Sequence, residues 1–279
     1  MLNYISIIQM SYFDDSQIVY VDSKNRSAGT HGQFTIKLEI DQSRYFDRVV
    51  VLDCSIPKSY YMIDVGHNYF TLVEDLLNVA IVIPAGNYTR VSLKTTLQNI
   101  LNTNSPHGYT YGILFDNISQ SVDTGKLTFT VSGNGSIQPQ FIFANGLYEQ
   151  LGFESNTTND FMFNTLVSSN VINLNPESTI FIHSNICQNS VNNILQNIIT
   201  PLNSSFSYIV FENKSVAEYS KIFNNSNSNV FDFSFTNESG EILDFNGLNV
   251  VFTILVYKRN RASEILTDFI KMKTLKSLN

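Results

Sequence analysis

The run Phe34-Thr35-Ile36-Lys37-Leu38-Glu39-Ile40 alternates apolar and polar residues without a break. Successive side chains of an extended chain point to opposite faces, so Phe34, Ile36, Leu38 and Ile40 share one face and Thr35, Lys37 and Glu39 the other. This is the signature of a half-buried antiparallel strand. The next run, Val49 to Ile56, places Val50, Leu52, Cys54 and Ile56 on one side and also puts Val49 and Val51 on the other, so its second face is expected to be covered. The last run, Leu248 to Tyr257, sets Leu248, Val250, Phe252, Ile254 and Val256 opposite Val251, Leu255 and Tyr257. It reads as a central strand, or one packed against a neighbouring subunit.

Strand-like runs of this kind recur along the chain. They include Ile18–Asp22, Tyr69–Glu74, Val79–Ile83, Tyr109–Phe115, Leu127–Ser132, Ile137–Phe143, Val171–Leu174, Thr179–His183, Ser207–Phe211, Val230–Phe235 and Glu241–Phe245. Short strands at such spacing predict a β-sandwich. Two tight hairpins are expected: Gly133-Asn134-Gly135 joining Leu127–Ser132 to Ile137–Phe143, and Asn246-Gly247 joining Glu241–Phe245 to the last strand. Pro139 cannot donate to a ladder, which predicts an edge position for its strand. One amphipathic helix is expected over Ser92–Leu101, with Ser92 as N-cap and Leu93, Leu97, Ile100 and Leu101 on one face. A short helix, Leu147–Leu151, is expected to stop at Gly152. A chain of 279 residues, 43% hydrophobic and 13% aromatic, can bury a large core of this type, so the expected fold is all-β.

Charge narrows the partners. A net charge of −7 is unsuited to a surface that wraps nucleic acid, which needs a dense basic field. The exception is local. Lys258, Arg259, Arg261, Lys271, Lys273 and Lys276 crowd the last stretch, where Ile265, Leu266, Phe269, Met272 and Leu275 form an apolar stripe. Residues 261–279 therefore read as a basic amphipathic tail, either a helix packed on its own domain or a sister subunit, or an anionic contact to packaged nucleic acid or an inner membrane. The two cysteines, Cys54 and Cys187, imply no disulfide framework. Met1–Met10 lacks the basic start and small-residue cleavage site of a signal peptide, and no apolar run approaches the ~20 residues that span a bilayer. The expectation is a soluble chain or a component of an assembly.

No catalytic constellation emerges, so no enzyme, cofactor or metal site is expected. The four histidines, His31, His67, His107 and His183, stand apart without a second ligand at metal spacing. No Gly-x-Ser-x-Gly occurs, and Gly133-Asn134-Gly135 reads as a turn rather than a phosphate loop. Asp14-Asp15 and Glu74-Asp75 are adjacent carboxylates that point to opposite faces of a strand and read as solvated charges. Tyr60-Tyr61 and Tyr109-Thr110-Tyr111 have the rings to stack on sugars or bases, but aromatic core or interface is their expected use; for a glycan- or receptor-binding module the loop candidates are Tyr109–Tyr111 and Asn224–Asn229.

Several segments together resemble penton and minor capsid proteins of virophages and Polinton-like viruses. They are Val21-Asp22-Ser23-Lys24-Asn25-Arg26 ahead of Phe34-Thr35-Ile36, and the Val49–Ile56 strand followed by Pro57-Lys58-Ser59-Tyr60-Tyr61 and Asn68-Tyr69-Phe70. Further on are Ile83-Pro84-Ala85-Gly86-Asn87-Tyr88, Leu151-Gly152-Phe153 and Phe245-Asn246-Gly247. The resemblance spans most of the chain. It implies a single jelly-roll β-sandwich, here over residues 1–260; the chain departs from a minimal jelly roll in what reads as a small helix-plus-hairpin insertion at about 87–164, and the basic tail follows at 261–279. It also implies a structural virion protein, assembled in the infected host cell as a homopentamer at icosahedral vertices and contacting the major capsid protein. A non-vertex minor (cement) capsid protein is the alternative, as is a jelly-roll attachment module that takes a host glycan or receptor through the insertion.

Overall fold

The computed structural model describes residues 13–117, 122–144, 146–174, 178–188, 191–200, 206–225 and 228–260. In chain order the strands are β1 Phe13–Asp22, β2 Ala28–Gly29, β3 Gln33–Lys37, β4 Arg48–Pro57, β5 Tyr69–Glu74, β6 Leu77–Val82, β7 Thr110–Asn117, β8 Val122–Ser132 and β9 Gln140–Phe143. They continue as β10 Thr157–Asp160, β11 Thr165–Val167, β12 Thr179–Ser184, β13 Cys187–Gln188, β14 Ile194–Ile199, β15 Tyr208–Glu212, β16 Lys221–Phe223, β17 Val230–Thr236 and β18 Val251–Arg259. The chain divides into two compact units, one formed by Met1–Tyr60 with Glu177–Asn279 and the other by Tyr61–Pro176.

The first unit is a jelly roll, and its pairings show why. Apart from the short β2, β13 and β16, its strands in order are β1, β3, β4, β12, β14, β15, β17 and β18. The first pairs with the last (β1 with β18), the second with the seventh (β3 with β17), the third with the sixth (β4 with β15) and the fourth with the fifth (β12 with β14), all antiparallel. That is one long hairpin rolled into two sheets. Cross-pairs of β18 with β4 and of β12 with β17 close each sheet. Between the sheets lies a core that includes Phe34, Ile36, Phe231, Phe233, Phe235, Phe252 and Ile254, with Phe34 stacked on Phe235 and Phe252 edge-on to Phe233.

The alternation of Phe34, Ile36, Leu38 and Ile40 holds, and all four are buried. The alternation expected for β4 does not survive its whole length. Val49, Val51, Cys54 and Ile56 face the sandwich core, whereas Val50 packs outside it with Leu255, Tyr257, Leu52 and Val216. The cause is a bulge: the register with β18 slips between Thr253 and Ile254, leaving Leu52 as the extra residue and reversing the inside–outside sense beyond it. Asn213 caps the irregularity. Its backbone N–H donates to the Leu52 carbonyl at 2.7 Å and its Nδ2 to the Val51 carbonyl at 2.9 Å. The second face of β4 is thus covered, in part by this chain's own Val216. β18 lies between β1 and β4, a central strand.

The second unit contains the stretch 87–164, β10 included, together with β5, β6 and β11. Its two sheets run β10-β9-β5-β6 and β11-β8-β7. They enclose Phe70, Leu72, Phe129, Phe141, Phe143 and Phe161, on which the helix Arg90–Asn104 lays Leu93, Leu97 and Leu101. The helix begins earlier than its periodicity suggested. Thr89 is the N-cap, and a capping box forms in which the Ser92 N–H donates to Thr89 Oγ1 while the Thr89 N–H donates to Ser92 Oγ at 2.9 Å. The short helix is Tyr148–Leu151, stopped by Gly152 at φ 75°.

Neither expected hairpin forms as such. Gly133 and Gly135 do take positive φ, but β8 pairs with β7 and β11 while β9 pairs with β5 and β10, so the segment between them crosses from one sheet to the other. Asn134 is buried in that crossover and donates from Nδ2 to the Ile137 carbonyl and to Asn164 Oδ1. Pro139 precedes β9 and does not mark an edge, because β9 lies between β10 and β5. Asn246-Gly247 makes a tight turn, with the Leu248 N–H donating to the Phe245 carbonyl at 3.0 Å. The preceding residues bridge β17 through Ile242 and Thr236 rather than pairing with β18. Val171–Leu174 forms no strand.

Candidate functional site

The outer face of the β1-β18-β4-β15 sheet carries exposed apolar side chains among the described residues of the jelly-roll unit. Strand alternation turns Ile18 and Tyr20 of β1, Val251 of β18, and Tyr208 and Val210 of β15 outward, with Tyr20 76% and Val210 71% exposed. The register lines them up: Val251 faces Ser55, which faces Val210, and Tyr20 faces Thr253. Exposed aromatic and aliphatic residues on one sheet face, with its centre filled by Val50, Leu255 and Tyr257, suit burial against another protein.

The basic residues divide. Lys258 and Arg259 lie at the end of β18, where Lys258 stands opposite Asp15 and the Arg259 backbone N–H donates to Asp47 Oδ1 at 2.8 Å. Asp15 also pairs with Arg44, so carboxylates accompany the cations here. Arg261, Lys271, Lys273 and Lys276 lie outside the described residues. Among the histidines, His183 bonds the Asn192 carbonyl and Thr236 Oγ1, each at 2.9 Å, and His67 lies 3.2 Å from Asp64.

The solvated reading of Glu74 is overturned, and for Tyr109 and Tyr111 the core reading holds over the ligand-loop alternative. Glu74 is fully buried rather than solvated. Its carboxylate accepts from the Tyr111 hydroxyl at 2.8 Å, from Ser105 Oγ at 2.7 Å and from the His107 backbone N–H at 2.9 Å. Burial, and then the bond to Glu74, push the Tyr111 hydroxyl pKa far up, so it stays a donor. Extending the alternation of Phe70 and Leu72 one step further would have placed Glu74 on the buried face. Tyr109, just ahead of β7, and Tyr111 within it are core residues, as expected, and are not free to stack on a ligand. Satisfied on three sides, Glu74 serves to fasten the 105–109 loop and Tyr111 to the end of β5. Burial, ahead of the neighbouring Asp53 charge, raises the Cys54 thiol pKa, which leaves it unreactive.

The class these features define is a jelly-roll protein that carries a second β unit in the connection between its third and fourth strands. No family model and no curated protein matches the chain. Among solved structures, the selenomethionine-labelled mavirus penton protein aligns with a TM-score of 0.46 and 13% identity, over 86% of this chain and 99% of that one.

Proposed function

We propose that this chain is a structural protein of a virus capsid, a penton that assembles as a homopentamer at icosahedral vertices of the virion and contacts the surrounding major capsid protein. The observation that carries the reading is the complete jelly-roll pairing, first strand with last through fourth with fifth. Fold alone does not specify function, and the residues that resemble penton proteins add the particular role. Two of those motifs, Pro57–Tyr61 and Phe245–Gly247, far apart in sequence, meet in space. Ser59 Oγ donates to the Phe245 carbonyl at 2.6 Å, Asn246 Nδ2 donates to the Ser59 carbonyl at 2.6 Å, and Tyr60 packs edge-on to Phe245. Ser23, fully buried, accepts from the Val250 N–H at 2.9 Å. The outer-face residues Tyr20, Val210 and Val251 supply the lateral contact in this reading.

Light scattering on the purified protein at low and moderate salt tests it. The expected mass is five times that of the 31.6 kDa chain, and a Tyr20→Lys, Val210→Lys variant is expected to stay monomeric with unchanged circular dichroism. A stable trimer would overturn the assignment, as would a monomer at every concentration, which would favour the cement role.

A further inference from the structure

One end of the inserted unit gathers its two most exposed apolar side chains among the described residues, Leu76 and Phe163, on neighbouring turns. The chain comes in where Ile63 bridges Gly86 and Asn68 donates to the Ile83 carbonyl, and goes out where Asn170 bonds Gly152 and Ile172 bonds Gly125. Both connections lie at the Tyr69 end of β5. At the opposite end, the last β5–β6 pair is Glu74 with Leu77, Gln140 lies between Val73 and Asp160, and Thr165 pairs with Thr130. The turns gathered there present Leu76 (89% exposed), Met162 (69%) and Phe163 (94%), with Leu77 and Ile137 also exposed.

Phe163 is the outlier. With Asn164 it forms a two-residue turn at φ 50° and 62°, closed by reciprocal backbone bonds between Met162 and Thr165 at 2.8 and 3.0 Å. A bulky side chain is disfavoured in this left-handed region, where glycine or asparagine is usual. The turn is held there by its neighbours. Asn164 Oδ1 accepts from Asn134 and Gln138 at 2.9 and 3.0 Å, its N–H donates to Gln138 Oε1 at 3.0 Å, and its carbonyl accepts from the Val131 N–H at 3.0 Å. Glu74 fastens the adjacent 105–109 loop in the same manner.

We propose that this end is a lipid-contact surface that enters the interfacial zone of neutral, zwitterionic bilayers. Residues 127–147 and 161–174 contain no ionisable side chain, so immersing the Met162–Asn164 turn removes no charge from water. The polar atoms of the turn are largely paired within the unit, as an apolar medium demands. The most exposed apolar side chains stand clear on separate turns instead of lining a groove, and a fluid surface accepts such knobs without a matching cavity. The charged side chains at this end are the carboxylates Asp75 and Asp160, with His107 nearby, which disfavours anionic lipid. This inference stands on the inserted unit alone and does not depend on the capsid reading.

Flotation of the full chain with phosphatidylcholine vesicles, and with vesicles of phosphatidylcholine and phosphatidylserine in equal parts, tests it. The protein is expected to float with the neutral vesicles and less with the anionic ones. A Leu76→Ser, Phe163→Gly variant is expected to bind the neutral vesicles at least about tenfold more weakly, given the value of each buried apolar side chain. Glycine accepts the positive φ, so this variant should unfold no earlier than the parent. Three outcomes would overturn the proposal: no flotation with neutral vesicles, equal flotation of parent and variant, or stronger binding to the anionic vesicles, which would move the contact to the basic residues 261–279.

Discussion

Glu74 shows how much one buried group can hold. Removing its carboxylate leaves the Tyr111 hydroxyl, the Ser105 hydroxyl and the His107 N–H without their acceptor; the Tyr111 hydroxyl is buried, and a buried unpaired donor costs about 1–3 kcal/mol, while half-buried Ser105 and exposed His107 lose less. Glu74→Ala is therefore expected to destabilise the inserted unit by roughly 2–3 kcal/mol in denaturant unfolding, and Tyr111→Phe by about 1.5 kcal/mol. A loss below about 1 kcal/mol for Glu74→Ala would show that water replaces the carboxylate. Cys54 gives a second test. Its thiol is buried and its pKa is raised, so it should resist alkylation in the native protein and react once the protein unfolds. The buried thiol was legible in the apolar run around Cys54. The buried Glu74 was misread because the alternation of β5 was stopped one residue short of it.

At the scale of elements, the helix Arg90–Asn104 is fastened at its start. Thr89→Ala removes half of the capping box and should cost about 1 kcal/mol, read as a lower unfolding midpoint. Arg90 grips Asp123 with two bonds of 2.6 and 2.8 Å, and Asp123 also accepts from the Gly125 N–H. Together these hold the Asp123 pKa at about 2, below its ordinary 3.8. A depressed carboxylate pKa contributes stability above the unfolded value and loses it as pH falls toward the folded one. The pair should therefore weaken from near pH 3.8 down to about 2, and Asp123→Asn should flatten that part of the acid unfolding curve. Screening by solvent keeps the effect small. The helix itself was legible from Leu93, Leu97 and Leu101, but its cap lay three residues ahead of the expected Ser92, because a reciprocal Thr–Ser pair displaced the cap to Thr89. The bulge at Leu52 left no mark in the sequence. It exists because β18 and Asn213 impose a register on β4 from outside.

For the whole molecule, two separate cores predict separable stabilities. Phe252→Ala should lower the unfolding of the jelly-roll unit and Leu97→Ala that of the inserted unit, each by about 2–5 kcal/mol, as calorimetric transitions that move independently. A single transition shifted alike by both would mean the units unfold together. Deleting residues 261–279 should leave the β fold intact, read as a retained strand signal in circular dichroism, since the described strands already pair without it. What the amino-acid sequence determined alone was local: the period-two faces of β3 and β18, the helical stripe, the positive-φ turns at Asn246 and Gly247, and a composition fit for sheet. Those signals depend on neighbours along the chain, which the sequence states directly. Which strand pairs with which, whether Gly133–Gly135 turns back or crosses to another sheet, which side of Leu52 faces the core, and the gathering of Leu76, Met162 and Phe163 at one end were decided only by the tertiary structure. Each of these depends on partners tens or hundreds of residues away, selected by how two sheets can close over one core.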